Sequence, residues 1–343
     1  MRHRTFPHTT VAVTRLTWKR SVLGLLVLGL SSAGQAAQFC VSSDTGLYSA
    51  LLTASASVDD DEIRLVKGSF NVNFDFGSSG KITGDLALRG GYEEGCATRL
   101  SAAAMTRLKA QGQGFRLFPR QASDLTIERI DFDGFRSINI VDNIAEPAGR
   151  YGLVLVSRSA FRNAQMGLDV TLLRHDAHIE NSLFVDNKAL PTSRGLFLET
   201  FHNPGTGQTP IASVINCTLR NNSVGLTLGE GTTGAASAPT LIANTIASEN
   251  SQTDIELFRP TELRYSLYST LVLGPSGTLA ASSTNNLRSP AMLDPSHRSL
   301  PGSRAINSGE NSFFPTPLKA RDYYGNARIT NVVIDRGAVE SNW

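Results

Sequence analysis

The chain has 343 residues, 41% of them hydrophobic and 18% charged, the composition of a foldable globular chain, and its thirty glycines suit a fold with many tight turns. The formal charge of +2 is a property of the first 36 residues, which carry Arg2, Arg4, Arg15, Lys19 and Arg20 and no acid. Without those five, 27 basic residues face 30 acidic ones, a balance of −3, which removes the electrostatic case for nucleic acid or an anionic membrane as a partner.

Residues 1–36 read as a signal peptide. A basic stretch ends at Lys19-Arg20, nine apolar residues run from Val22 to Leu30, and Gly34-Gln35-Ala36 offers the small residues of a cleavage site. Nine apolar residues are too few to span a bilayer. The mature chain is therefore expected to be exported, periplasmic or extracellular, soluble, without membrane insertion, and monomeric. An oxidising compartment permits disulfides, and Cys40 and Cys96 both fall in the N-terminal module, so they are expected to pair. Cys217 falls in a repeat and reads as a small buried core residue.

Residues 37–100 form an N-terminal cap and first coils. Asp44-Thr45-Gly46 can cap a helix over 47–55 with Leu47, Leu51 and Ala54 on one face. Strands follow at 62–66, 80–84 and 85–92, and the triplet Asp59-Asp60-Asp61 makes a turn with a weak potential for Ca²⁺. No other cofactor is expected. Within 101–120, Leu108, Phe115, Leu117 and Phe118 suggest a further coil.

Residues 101–290 carry the main pattern, written about six times, at 126–132, 156–163, 179–187, 215–222, 242–250 and more loosely at 265–271. Apolar and polar residues alternate, which is strand periodicity. A second short strand follows most copies, at 137–140, 167–170, 195–198, 225–228 and 254–257. The anchors Phe132, Phe161, Phe184, Leu219 and Ile246 are 29, 23, 35 and 27 residues apart. Such a period, with strands and no helical pattern, predicts a solenoid of β-coils whose inward anchors stack along the axis. Asn163, Asn187, Asn222 and Asn250 recur at one turn and read as a structural ladder. The sequons at Asn216 and Asn221 sit in or beside coil strands and are read as accidental.

Residues 291–343 form a closing segment. The order of helix, strand, Lys67-Gly68-Ser69-Phe70 and Leu88 to Cys96 resembles the N-terminal cap of exported right-handed β-helix proteins. The tail contains Ser303-Arg304-Ala305-Ile306-Asn307-Ser308-Gly309, then Asp322, Gly325 and Arg328, then Asp335, Gly337, Ala338 and Glu340. This order resembles the end of the choice-of-anchor Q family, exported proteins of the pectate-lyase-like superfamily. Asn307 stands where Asp is usual and Val339 where an aromatic is usual. The resemblance implies an all-β, right-handed parallel β-helix with a short N-terminal capping helix. It transfers little activity, because the family shares a scaffold more than a chemistry. Members often carry a sorting tail after the motif, and here only three residues follow Glu340, so no tether is expected.

The connection after the second strand of each copy varies in length, at 141–150, 173–177, 199–210, 230–239 and 258–262. Insertions at one place in each coil stack on one face, often the binding face. That face would present Arg150, Tyr151, Glu199, His202, Glu230 and Arg259, beside Glu146, Asp176 and Glu262, a polar set suited to an extended polysaccharide or a surface glycan. The alternative is a solvated edge without a ligand. Arg174, His175 and Asp176 contain the residue types of a β-eliminating lyase, a cation for a carboxylate and a base for the α-proton. His175 and His178 lack a third metal ligand. Motifs of known lyases and hydrolases of this fold are missing. The sequence thus supports a non-catalytic exported β-helix binding an extended polysaccharide, against a polysaccharide lyase or glycoside hydrolase working in a groove on the coil loops.

Overall fold

The computed structural model describes residues 36–77, 81–100, 105–120, 123–142, 152–201, 210–230, 239–313 and 321–343. The signal-peptide reading therefore lies outside the described residues, apart from Ala36. Among the described residues no helix is long and apolar enough to cross a membrane.

The strands form three parallel sheets. The first has ten strands, from Ala37–Val41 to Thr278–Leu279. The second has nine, from Gly68–Val72 to Leu287–Arg288, and the third has eight, from Lys81–Ile82 to Leu271–Leu273. One turn of the chain visits all three. Leu153–Ser157 is in the first sheet, Ala160–Arg162 in the second and Met166–Leu172 in the third, and Asp176–Glu180 then pairs back onto Leu153–Ser157. This is the parallel β-helix that the repeat predicts.

Alternation puts one residue in two inside, and the in-register pairing stacks like on like. In the first sheet Ile63, Leu88, Ile127, Val156, Ile179, Val214, Ile242 and Leu263 form one buried column. In the second sheet Phe132, Phe161 and Phe184 stack face to face with ring centroids 5.1 Å apart at each step. Each such side chain contributes about 1.5–3 kcal/mol by leaving water. The column continues through Leu219 to Ala247, not to Ile246. Ile246 pairs with Thr218 and faces outward under the C-terminal segment. The expected anchor was one residue out of register, because both Ile246 and Ala247 are apolar and alternation alone does not choose between them.

The two short turns of each coil hold ladders. Between the second and third sheets Asn163, Asp186, Asn221 and Glu249 adopt positive φ, and the residue after each faces the interior. The asparagine ladder is therefore Asn187, Asn222 and Asn250, with Ala164 in the place expected for Asn163. Asn187 Nδ2 donates to Asn222 Oδ1 at 2.9 Å and Asn222 Nδ2 to Asn250 Oδ1 at 2.9 Å. Each also bonds turn backbone, as in Asn222 Nδ2 to the Phe184 carbonyl at 2.9 Å. Gly167, Gly195 and Gly225 follow for a steric reason. A Cβ on Gly195 would stand 2.8 Å from the Gly225 oxygen and 2.9 Å from Asn222 Nδ2. Between the first and second sheets a second ladder runs through Ser159, Ser182, Cys217, Thr245, Ser266 and Asn286. The Ser159 amide donates to Ser182 Oγ at 3.2 Å, and the Thr245 amide to Ser266 Oγ at 3.3 Å. Cys217 takes a hydroxyl's place there, fully buried, and burial pushes its thiol up to about 12.

At the N-terminal end the helix α1, Asp44–Ala56, covers the first coil with Leu47, Ala50, Leu51 and Ala54. Its cap is Ser43, whose side chain accepts from the Gly46 amide; Asp44 instead accepts from the Asn71 amide at 2.8 Å. Cys40 and Cys96 form the expected disulfide, with Cα atoms 5.5 Å apart. Residues 106–110 and 114–119 complete the coil suspected there, with Leu108, Phe115 and Leu117 inside and Phe118 turned outward.

The tail does not add a coil. After Leu287–Arg288 it folds back over the outer face of the second sheet. Tyr323, Ala338 and Val339 pack on Ala160, Leu183 and Val185, and Ala291, Leu293 and Ala305 pack on Ile246 and Leu267. Arg158 Nε donates to the Asp322 carbonyl across 164 residues of chain. A buried polar knot sets the tail's shape. Asp322 accepts from the Asn326 and Glu340 amides, Asp335 from the Asn307 and Ser341 amides, and Glu340 from the Asp335 amide. Arg328 is fully enclosed, donates to the Asp335 and Gly337 carbonyls, and has its Nη1 3.9 Å from Glu340 Oε2. One guanidinium thus serves three carboxylates, and burial pushes the Glu340 carboxyl up to about 8 against the pull of Arg328.

Two outcomes follow from this packing. Phe184→Asp, which puts an unpaired carboxylate into the stacked column, is expected to cost several kcal/mol in denaturant melts, whereas Lys109→Asp on an exposed outer position should cost less than about 0.5 kcal/mol. For Glu340 the folded state holds its proton more tightly than the unfolded chain. Its contribution is complete at acid pH and is lost as pH rises from the ordinary carboxyl range to about 8. The slope approaches about 1.4 kcal/mol per pH unit at most. Glu340→Gln should flatten that part of the stability profile in melts across the range, and an unchanged profile would refute the assignment.

Candidate functional site

The variable connections between third-sheet and first-sheet strands fall at 143–152, 173–175, 201–211, 229–239 and 258–259 in the chain, and of these 143–151, 202–209 and 231–238 lie outside the described residues. Arg150, Tyr151 and His202, with Glu146, lie outside the described residues. The others take separate places. Glu230 is exposed and accepts from Ser276 Oγ at 2.8 Å. Arg259 is 3% exposed and donates to the Thr200 carbonyl and hydroxyl. Glu199 is half-buried, with Arg259 within electrostatic reach.

Arg174, His175 and Asp176 are adjacent in sequence but do not form an accessible triad. The three-residue connection turns its amides inward, and the Asp142 carboxylate collects them. The Leu173, Arg174 and His175 amides donate to it at 3.1, 3.0 and 3.0 Å. His175 has no exposed surface. Its Nδ1 lies against Asp142 Oδ2 and its Nε2 lies 2.9 Å from the Ser123 carbonyl. The ring thus bridges two coils, with an oxygen acceptor beside each nitrogen. Asp176 accepts from the Ile211 amide at 2.7 Å.

Asp176 belongs to a ladder that the sequence reading missed. Asp60 accepts from the Asp85 amide at 3.0 Å, Asp85 from the Asp124 amide at 2.8 Å and Asp124 from the Leu153 amide at 2.8 Å. The signal was available, because an aspartate stands just before or at the start of four first-sheet strands. Asp60 of the suspected Ca²⁺ triplet is the first rung. Among the described residues no group of three or more His, Cys, Asp or Glu side chains is arranged to hold a metal.

The outer faces of the sheets differ. The second sheet carries the tail. The first carries an ion-pair ladder in its early coils, where Glu62 meets Arg64 at 2.7 Å and Arg89 at 2.6 Å, and Glu128 meets Arg99 at 2.7 Å. Further along, His178 Nδ1 lies 2.6 Å from Ser213 Oγ. On the third sheet, register places Arg116, Asn139, Asp169, Phe197, Thr227 and Glu256 in one outward row, one per coil. Arg194 stacks on the Phe197 ring at 5.0 Å. Thr171 Oγ1 lies 3.2 Å from Asp169 Oδ1, and Thr227 donates to Glu256 at 3.0 Å. Burial raises the Asp169 carboxyl above its ordinary range and Glu199 adds to that, while Arg194 and Arg116 oppose it. A recess of about 160 Å³ bounded by Asp75, Phe76, Arg116, Arg136 and Asn139 closes one end of the row. Sequence reasoning missed this row, because its members are spread over 140 residues and differ in type from coil to coil.

Asp142→Ala would orphan three buried amides and the His175 ring, and is expected to cost about 3 kcal/mol or more in chemical denaturation. A variant as stable as the parent would show that other contacts hold the connection. No protein-family model, curated protein or solved structure matches this chain.

Proposed function

We propose that the outer face of the third sheet binds an extended polysaccharide, in an exported protein acting outside the membrane. The observation that carries this reading is the row from Arg116 to Glu256. Five of its six side chains are polar, one is aromatic, and successive members stand one strand spacing apart, about 4.8 Å. That interval is comparable with the length of one sugar unit, so a linear glycan laid across the strands meets Arg116, Asp169 and Glu256 as polar contacts and Phe197 as a stacking one. Phe197, backed by Arg194, offers a flat apolar surface for the face of one pyranose ring. The tail covers the second sheet and ion pairs cross the early first sheet; on the third-sheet row Arg116 is exposed, Asp169, Phe197 and Glu256 are half-buried, and Asn139 and Thr227 are buried. Glu199, near the end of its third-sheet strand, and the exposed Glu230 beyond the next strand add carboxylates to this side. The Cys40–Cys96 disulfide supports an oxidising compartment, in keeping with a cleaved leader over residues 1–36. Membership of the choice-of-anchor Q family rests on the tail motif and remains part of this proposal.

The test is a panel of neutral and acidic glycans against the purified chain. Phe197→Ala is expected to weaken the best binder about tenfold or more by removing ring stacking, while Lys109→Ala on the second sheet leaves it unchanged. Absence of binding across the panel would overturn the reading.

A further inference from the structure

We infer that the third-sheet face is also a hydrolytic centre, in which Asp169 donates a proton to the glycosidic oxygen and Glu199 activates the attacking water. The inference rests on the polysaccharide-binding reading and adds a reaction to it.

Placement comes first. Asp169 lies opposite Phe197, and Glu199 lies opposite Thr171, two residues further along the Phe197 strand. Residues two apart share a face, so Asp169, Thr171, Phe197 and Glu199 all belong to the outward side. With a strand spacing of about 4.8 Å and a rise of about 3.3 Å per residue, the two acids are roughly 8 Å apart at Cα. Single-displacement hydrolysis needs two carboxyls far enough apart for a glycosidic bond and one water, and this backbone spacing is compatible with that need. A sugar stacked on Phe197 is held beside both groups.

The surroundings differ in the way the chemistry needs. Asp169 is half-buried in the strand row with one hydroxyl neighbour, Thr171, and burial favours its neutral, proton-bearing form. The charged groups facing it are Arg194 and Glu199 from the next strand and Arg116 from two strands before. Glu199 sits instead within electrostatic reach of the Arg259 guanidinium. Two carboxyls in unlike surroundings on either side of a bound sugar can divide the roles of acid and base. Arg116, Arg194 and Phe197 position the chain.

The step balances with water as the only co-reactant. The bond from the anomeric carbon to the glycosidic oxygen breaks as Asp169 gives its proton to that oxygen. Water adds to the anomeric carbon, and its proton passes to Glu199. Proton exchange with solvent restores both groups, and the product is one new reducing end. Elimination would require a base at the proton next to a uronate carboxylate and would leave an unsaturated, ultraviolet-absorbing sugar.

The experiment uses the full chain and the glycans that bind it. Reducing ends are expected to accumulate without an unsaturated product. Asp169→Asn and Glu199→Gln should each lower turnover about a hundredfold or more, with binding within threefold of wild type and unchanged melting. Lys109→Ala should leave turnover intact. Binding without turnover, turnover insensitive to both variants, or an unsaturated product would overturn the inference while leaving the binding reading standing. Absence of binding would overturn both.

Discussion

Axial stacking is the constraint from which the rest of this structure derives. A parallel strand can bury its inner side chains and satisfy its backbone only if the next coil repeats its register. The in-line columns of Ile63 to Leu263 and Phe132 to Phe184 show how strictly this chain obeys. Each coil supports its neighbours and little else, so stability is distributed along the axis instead of residing in one centre.

The turns face the same requirement in a polar form. A strand leaving one sheet for the next must reverse direction within two residues, and positive φ at Arg158, Asn181, Asn216 and Asn244 does this on one side. At the two short turns most of the amides freed by the bend are buried. The serine and threonine column, the asparagine ladder and the aspartates at the first-sheet strand starts accept them, each rung bonding the coil beyond its own. His175 solves the same problem at a connection, with Asp142 gathering three amides and one ring nitrogen. Residue types that suggest chemistry in a linear reading here complete a hydrogen-bond account.

The tail shows the cost of enclosing charge. Arg328 with Asp322, Asp335 and Glu340 would be expensive to bury as isolated ions; backbone amides donate to the carboxylates and two carbonyls accept from Arg328 Nη2, which offsets part of that cost. Its role is to shape a segment with no regular secondary structure of its own. Once shaped, that segment covers the apolar row Ala160, Leu183, Ile246 and Leu267, which would otherwise face solvent. Asp169, Phe197 and Glu199 on the third sheet lie away from it and stay partly exposed.

The sequence by itself determined the strand repeat, the capping helix, the disulfide and the class of fold, because these depend on local periodicity and on patterns within one coil. It located the turn that carries the asparagines. It placed Ile246 and Asn163 one residue away from their true columns, since alternation does not distinguish two adjacent residues of the same character until a neighbouring coil sets the register. The tertiary structure decided which side chains meet. It buried His175 between Asp142 and Ser123, laid the tail against the second sheet instead of extending the coil, and set Asp169 beside Phe197 and Glu199 across a strand boundary. Those outcomes depend on pairing between residues tens of positions apart and on which surface the tail covers, and periodicity within a coil carries no information about either.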